Sequence, residues 1–391
     1  MNSVRVLWVR VWGIAALQGA ITLCWVIYNL YLPLLLVQVG LSKELGITLL
    51  IIENILEAII EPAFGWYSDR QLQIRGTKLP IITKGIMLAS LLFILIPCLV
   101  IFLPNIKWLL PILVVAWASV MAVFRSPAIA LLGRATPSKD LLPQAASILS
   151  LVGGLVGAFR FDAYGIILKL GAGFTFALGS IVLLTAGFIL LRLNPPAAPH
   201  PNTQQPVPSK WRLGLLFAIG IFVGWGLRFL IPTIGQIVAT HLGSDSNNLG
   251  ITGFFVVLGI SALPAGQIGT KLGNVSAMVL GCCLILLMSV FASLISLQSS
   301  DFIALLCIAL GLSLVLNGAI PFALNLVPSG SSGLGVGSYF GGFSAGVGLF
   351  EFIFTQSEYT YPTMNITGII FAFSSLLMCL LLSQLSKEIP D

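Results

Sequence analysis

Charge is scarce in this sequence: only 8% of its 391 residues are Asp, Glu, Lys or Arg, while 58% are hydrophobic. A water-soluble domain carries about 25% charged residues, and 19 basic plus 13 acidic side chains cannot cover such a surface. With a mean hydropathy of +1.05, the chain reads as an integral membrane protein. Nucleic-acid binding, secreted disulfide scaffolds and soluble enzyme chemistry are excluded. Histidine is nearly missing: His200, in a proline-rich stretch, and His241, expected in an outer loop, cannot assemble a zinc site. Cys24, Cys98, Cys282, Cys283, Cys307 and Cys379 show no Cys-x-x-Cys spacing and read as small buried residues. No glycine loop ends in Lys-Ser or Lys-Thr. The chain is therefore expected to hydrolyse no nucleotide and to need no cofactor or metal.

What is present is a series of long apolar runs. A helix needs about 20 apolar residues to cross the hydrocarbon core, and roughly twelve runs meet that length. They begin near Ile14, Gly46, Ile81, Trp108, Ala145 and Phe174, then near Leu213, Gly250, Ser276, Phe302, Gly335 and Thr363. Barrel strands would alternate in segments of about ten residues, whereas these runs are continuous, so the expected fold is an all-α membrane protein. The first run, after Arg5 and Arg10, is too long for a signal peptide and reads as a retained helix. Between the sixth and seventh runs lies Asn194-Pro195-Pro196-Ala197-Ala198-Pro199-His200-Pro201, with Pro206 and Pro208 beyond. So much proline cannot be helical. The expected organisation is a six-helix bundle over 1–193, a cytoplasmic linker over 194–210 and a second six-helix bundle over 211–391.

The cations orient the chain. If both ends of the chain lie in the cytoplasm, Arg5, Arg10, Arg70, Arg75, Lys78, Lys84, Arg134, Lys139, Arg192, Lys210, Arg212, Lys271 and Lys387 fall inside, against Lys43, Lys107 and Lys169 outside. That bias sets the termini in the cytoplasm, and accounts for the net charge of +6 without an anionic partner. A multi-pass protein of the plasma (inner) membrane is expected, with the bilayer as its surroundings and no nucleic-acid partner.

The halves also resemble each other. Leu45-Gly46-Ile47-Thr48 opens the second run and Leu249-Gly250-Ile251-Thr252 the eighth. Pro33 follows Asn29 by four residues, as Pro232 follows Arg228. Ser150-Leu151-Val152-Gly153-Gly154 matches Ser338-Tyr339-Phe340-Gly341-Gly342, and Pro127 and Pro321 sit in the fourth and tenth runs. These matches keep one order, which points to two parallel repeats, the arrangement of a rocking transporter.

At the end of the second run stands Gly65-Trp66-Tyr67-Ser68-Asp69-Arg70, followed by Arg75-Gly76-Thr77-Lys78. This resembles the Gly-x-x-x-Asp-Arg signature that major facilitator superfamily transporters carry between helices two and three. The equivalent stretch of the second half, Gly266-Gln267-Ile268-Gly269-Thr270-Lys271, has Thr270 in place of the acid. The resemblance covers nearly the whole chain. It implies a conformational-switch loop at Gly65, Asp69 and Arg70, helices one, four, seven and ten around a central cavity, and alternating access. Pro62 to Arg70, together with Arg125-Ser126-Pro127-Ala128-Ile129-Ala130-Leu131-Leu132, looks most like the sucrose and glycoside cation symporters, although Arg134 stands where those carriers usually have an acid. The glycine-rich fifth run has Gly153, Gly154 and Gly157 but lacks the proline of the drug-exporter signature.

Ionisable groups inside spans are functional candidates. Glu53, Glu57 and Glu61 stand at i, i+4 and i+8. Successive members drift by about 40°, so the three line one helix face over about 12 Å. Three ionised carboxylates on one dry stripe repel each other, so the stripe is expected to hold a proton, the requirement for a coupling site; pairing with arginines is the structural alternative. Counting from the helix ends sets Glu61 level with Arg125, and Glu53 level with Arg160, for which Asp162 competes. Glu57 is then left near the midplane with no cation assigned. Arg228 and Glu351 both fall in outer portions of spans and form a candidate pair. Gln18, Thr22, Asn29, Gln38, Asn317 and Asn325 offer hydrogen bonds to a hydroxylated solute, and Trp25, Tyr28, Tyr31 and Trp225 offer rings to stack on it. The glycines of Gly330 to Gly348 suit close packing or a hinge.

The expected function is secondary active transport of a small polar solute, such as a sugar, coupled to protons or another cation. The alternatives are a drug/proton antiporter and a non-transporting receptor or assembly factor.

Overall fold

Inside a bilayer a backbone N–H or C=O finds no water, so each crossing segment must satisfy these groups within itself. The computed structural model describes residues 7–136, 138–162, 164–194, 208–243, 247–294, 298–354 and 362–385. Among them, twelve long helices meet this demand. In the first half they are α1 (Trp8–Gln38), α2 (Leu45–Arg75), α3 (Leu79–Phe102), α4 (Leu109–Ile129), α5 (Leu142–Asp162) and α6 (Ala172–Leu193). The second half has α7 (Lys210–Leu242), α8 (Asn247–Leu272), α9 (Asn274–Leu294), α10 (Gln298–Leu326), α11 (Ser332–Phe354) and α12 (Pro362–Leu385). Most of the proline-rich linker, 195–207, lies outside the described residues.

Ten of these helices have an apolar stretch long enough to cross a membrane. The two that fall short are α2, which carries Glu53, Glu57 and Glu61, and α11, diluted by Gly333, Gly335, Gly337, Gly341, Gly342, Gly346 and Gly348. They pack against each other across the two halves. Each therefore turns its least apolar face away from lipid. Ile55 and Ile59, on the opposite face of α2, are exposed.

The repeat expected from the sequence is visible as packing. In the first half α1 packs on α5 and α6, α2 on α4, and α3 on α4 and α6. The second half repeats every pair six helices later: α7 on α11 and α12, α8 on α10, and α9 on α10 and α12. Two seams join the halves, α2 with α11 and α5 with α8. Glycine makes both seams close. A Cβ added at Gly337 would lie 2.4 Å from the Glu61 carbonyl oxygen, and one at Gly154 would lie 2.8 Å from Gly259 Cα. Other glycines of α11 serve its own half: a Cβ at Gly342 would meet the Phe217 carbonyl of α7 at 2.0 Å and one at Gly346 the Ile221 carbonyl at 2.6 Å. Of the two readings of this glycine run, packing is the one its contacts display.

Two expectations need correction. The segment Gly65 to Arg70 is no loop: α2 continues through it and stops only at Gly76, whose φ of 69° lies in the left-handed region that favours glycine. The connection to α3 is just Gly76, Thr77 and Lys78. His241 is likewise not in a loop but in the last turn of α7.

Candidate functional site: a buried carboxylate cluster at the α2–α11 seam

The glutamate stripe of α2 faces inward along its whole length; Glu53, Glu57 and Glu61 are 2%, 4% and 0% exposed. Such burial is tolerable only with polar partners, and three neighbouring helices supply them. On α4, Arg125 donates from Nε to Glu61 Oε1 at 2.6 Å and from Nη2 to Glu57 Oε2 at 3.2 Å. Ser126, the next residue, donates to Glu61 Oε2. On α11, Ser344 donates to Glu57 Oε2 at 2.7 Å. On α1, the Tyr28 hydroxyl donates to Glu53 Oε1, leaving Oε2 without a hydrogen-bond partner. The Arg125 guanidinium also lies 4.8 Å from the centroid of the Phe340 ring of α11.

Glu57 thus has the cation it was expected to lack. The fork of one guanidinium reaches two carboxylates a helical turn apart, a geometry that depth counting with one cation per acid does not consider. Glu53 is held by Tyr28 rather than by an arginine; the Arg160 and Asp162 side chains lie outside the described residues.

A second cluster closes one end of the same seam. The Asp69 carboxylate accepts from Lys78 Nζ at 2.5 Å and from the backbone N–H groups of Gly333 and Leu334 at 2.9 and 2.8 Å. These are free amides at the first turn of α11, where a carboxylate is favoured. Lys78 is 1% exposed and also donates to Ser332 Oγ at 3.1 Å. Gly65 lies one turn before Asp69 and lets α11 approach: a Cβ there would sit 2.3 Å from the Gly333 carbonyl. Arg70 takes no part, pointing out with its guanidinium 5.8 Å from the Trp66 ring.

The corresponding place on the α5–α8 seam has Thr270, whose hydroxyl turns back to its own helix at Gly266 O. Gly266 keeps the close approach, since a Cβ there would meet the Pro143 carbonyl of α5 at 2.9 Å. Pro143 has no N–H to donate. Among the described residues, the carboxylate of the first seam is replaced here by a hydroxyl committed to its own helix.

Arg228 and Glu351 do form a pair, Nη2 to Oε1 2.9 Å, joining α7 to α11. The neutral candidates are dispersed. Asn29 Nδ2 donates to the Trp25 carbonyl and Asn317 Nδ2 to the Ala262 carbonyl; Gln38 and Asn325 are exposed. Tyr28 and Tyr31 are buried and committed, Tyr31 donating to the Ile167 carbonyl at 2.7 Å. Buried polar atoms without a hydrogen-bond partner occur on each of four helices: Gln18 Oε1 and Trp25 Nε1 on α1, Trp117 Nε1 on α4, Trp225 Nε1 on α7 and Asn317 Oδ1 on α10. Sequence reasoning missed Ser126, Ser344, Lys78 and Phe340. Ser126 adjoins Arg125 and was open to inference, but Ser344 and Phe340 depend on the register of a helix from the other half.

No family model matches the sequence, and no curated protein matches it significantly. Solved structures do. A bacterial homologue of the iron transporter ferroportin, in an outward-facing state, aligns over 98% of each chain with a TM-score of 0.68 and 14% identity. The transporter FucP of the major facilitator superfamily, in the outward conformation, aligns over 97% of this chain and 99% of its own, with a TM-score of 0.73 and 10% identity. The chain has the major facilitator fold. The human organic anion transporter MFSD10 has the same chain path, with a TM-score of 0.64 and 13% identity over 97% of this chain and 98% of its own. In the major facilitator fold of this chain, the carboxylate cluster and the Asp69 cluster occupy the same seam, one within it and one at its end.

Proposed function

We propose that the protein is a secondary transporter that moves a small polar solute by alternating access and couples the movement to protons through Glu57. The observation that carries this reading is that one buried oxygen, Glu57 Oε2, accepts from Arg125 in the first half and Ser344 in the second. Two carboxyl groups, Glu57 and Glu61, share the single guanidinium of Arg125, and the third, Glu53, is held by Tyr28 alone. A proton arriving on Glu57 removes one of the two charges that hold Arg125, leaving Glu61 as its partner, and weakens the acceptor used by Ser344. The link between the halves loosens in the same event. The lone polar atoms of Gln18, Trp25, Trp225 and Asn317 suit a solute rich in hydroxyls, with sugars the first class to try. On the cation bias, we assign the Asp69 end to the cytoplasm of a plasma membrane.

The test is proton movement in liposomes containing the purified protein, followed with a trapped pH dye while sugars, sugar acids and nucleosides are applied. A solute that drives protons in the parent, binds Glu57→Gln with similar affinity and drives none there supports the reading. Solute transport with unchanged proton movement in Glu57→Gln removes Glu57 from the coupling role. Neither binding nor transport of any solute in the parent favours a non-transporting role.

A further inference from the structure

A cavity of about 610 Å³ lies within the second half, between α7, α9, α10 and α12. It is separate from the carboxylate cluster, and its described lining includes no residue of the four seam helices. Its wall is mainly apolar, with Ile234, Ile308 and Ile369 among its lining, and its size falls in the range of sites for drug-sized ligands. Polar groups line it as well. Asp301, in the first turn of α10, accepts from His241 Nε2 of α7 at 2.6 Å through Oδ2. Its other oxygen, Oδ1, has no hydrogen-bond partner although Asp301 is only 6% exposed. Ser289 of α9, 5% exposed, lines the same cavity and its hydroxyl is also without a partner.

A buried carboxylate oxygen left without a donor is costly, and the first turn of a helix favours negative charge at this position. The group that satisfies Oδ1 must donate a proton, and it gains most if it is cationic. The apolar wall requires the rest of the ligand to be hydrocarbon. Among the described lining residues His241 and Asp301 are the only titratable ones, so no fixed cation competes for Oδ1. We infer that this cavity is a binding site for amphipathic amines, with the ammonium on Asp301 Oδ1 and Ser289 Oγ and the hydrocarbon against the isoleucines. The site lies outside the pathway proposed above and does not depend on it.

The experiment uses 1-adamantylamine, a compact cage bearing one ammonium, with its carboxylate counterpart of the same cage as competitor. Binding of the radiolabelled amine to the full chain in lipid nanodiscs is expected to saturate, and 1-adamantanecarboxylate is expected not to displace it. Asp301→Asn should weaken binding at least ten-fold, and Ile308→Trp, which fills the cavity, should abolish it. Equal displacement by the carboxylate would overturn the charge argument in the unaltered protein, whatever the variants do. Binding that survives Asp301→Asn but is lost in Glu57→Gln would move the amine to the carboxylate cluster and overturn the proposal. Non-saturating uptake equal to that of empty nanodiscs would overturn it as well.

Discussion

Arg125 is a single side chain that two carboxylates and an aromatic ring converge upon. Removing it strands Glu57 and Glu61 in a dry interior, and breaking a buried pair in this way costs about 3–5 kcal/mol. Arg125→Ala is therefore expected to lower thermal stability in detergent markedly, and Arg125→Ala combined with Glu61→Gln to recover part of the loss. Strictly additive melting shifts would contradict the pairing. The pair itself was legible, because Glu61 lies eight residues before Asp69 and Arg125 nine before Arg134 on helices running the same way. The rest of the cluster was not. Depth is a one-dimensional coordinate along each helix, and Ser344 and Tyr28 enter from helices whose rotation about their own axes no residue count supplies.

At the scale of the element, α11 is a helix built to be touched on two sides. Gly337 and Gly341 meet backbone atoms of α2, while Gly342 and Gly346 meet backbone atoms of α7. Glycine in a helix interior costs about 1 kcal/mol against alanine, so a helix with seven of them depends on its neighbours. Gly337→Ala is expected to part α2 from α11, because the added methyl would stand 2.4 Å from the Glu61 carbonyl. The measurement is thiol labelling of Ser68→Cys, at the seam and fully buried, in a background with the six natural cysteines replaced. Labelling should accelerate several-fold with Gly337→Ala and should not change with Gly214→Ala, where an added Cβ meets nothing within 4 Å. Equal rates for both would mean that the seam does not rely on glycine. The boundaries of the apolar runs were readable because lipid demands unbroken hydrophobic length. The continuation of α2 past Gly65 was not, because Trp66 to Arg70 is polar enough to pass for a loop, and the partners of its buried Asp69 include amides of α11, from the other half.

For the whole molecule, the twofold repetition was readable from a few matched glycines and prolines, and the packing of the two halves follows it pair by pair. The seams depart from it. One is fastened at its end by Asp69, Lys78 and the amides of α11; the other has Thr270 in place of the acid, its hydroxyl bonded back to its own helix, and Pro143 close to Gly266. Asp69→Asn is expected to loosen the first end alone. Spin labels at Gln73 and Ser331 should report a broadened distance distribution in the variant, while labels at Lys139 and Lys271 should not. Broadening of both pairs to the same extent would mean the fastening is shared. A molecule tied along one edge and merely in contact along the other is built like a door with its catch on the α2–α11 side, and under the coupling proposed above the carboxylate cluster, on that same edge, is where a proton would lift the latch.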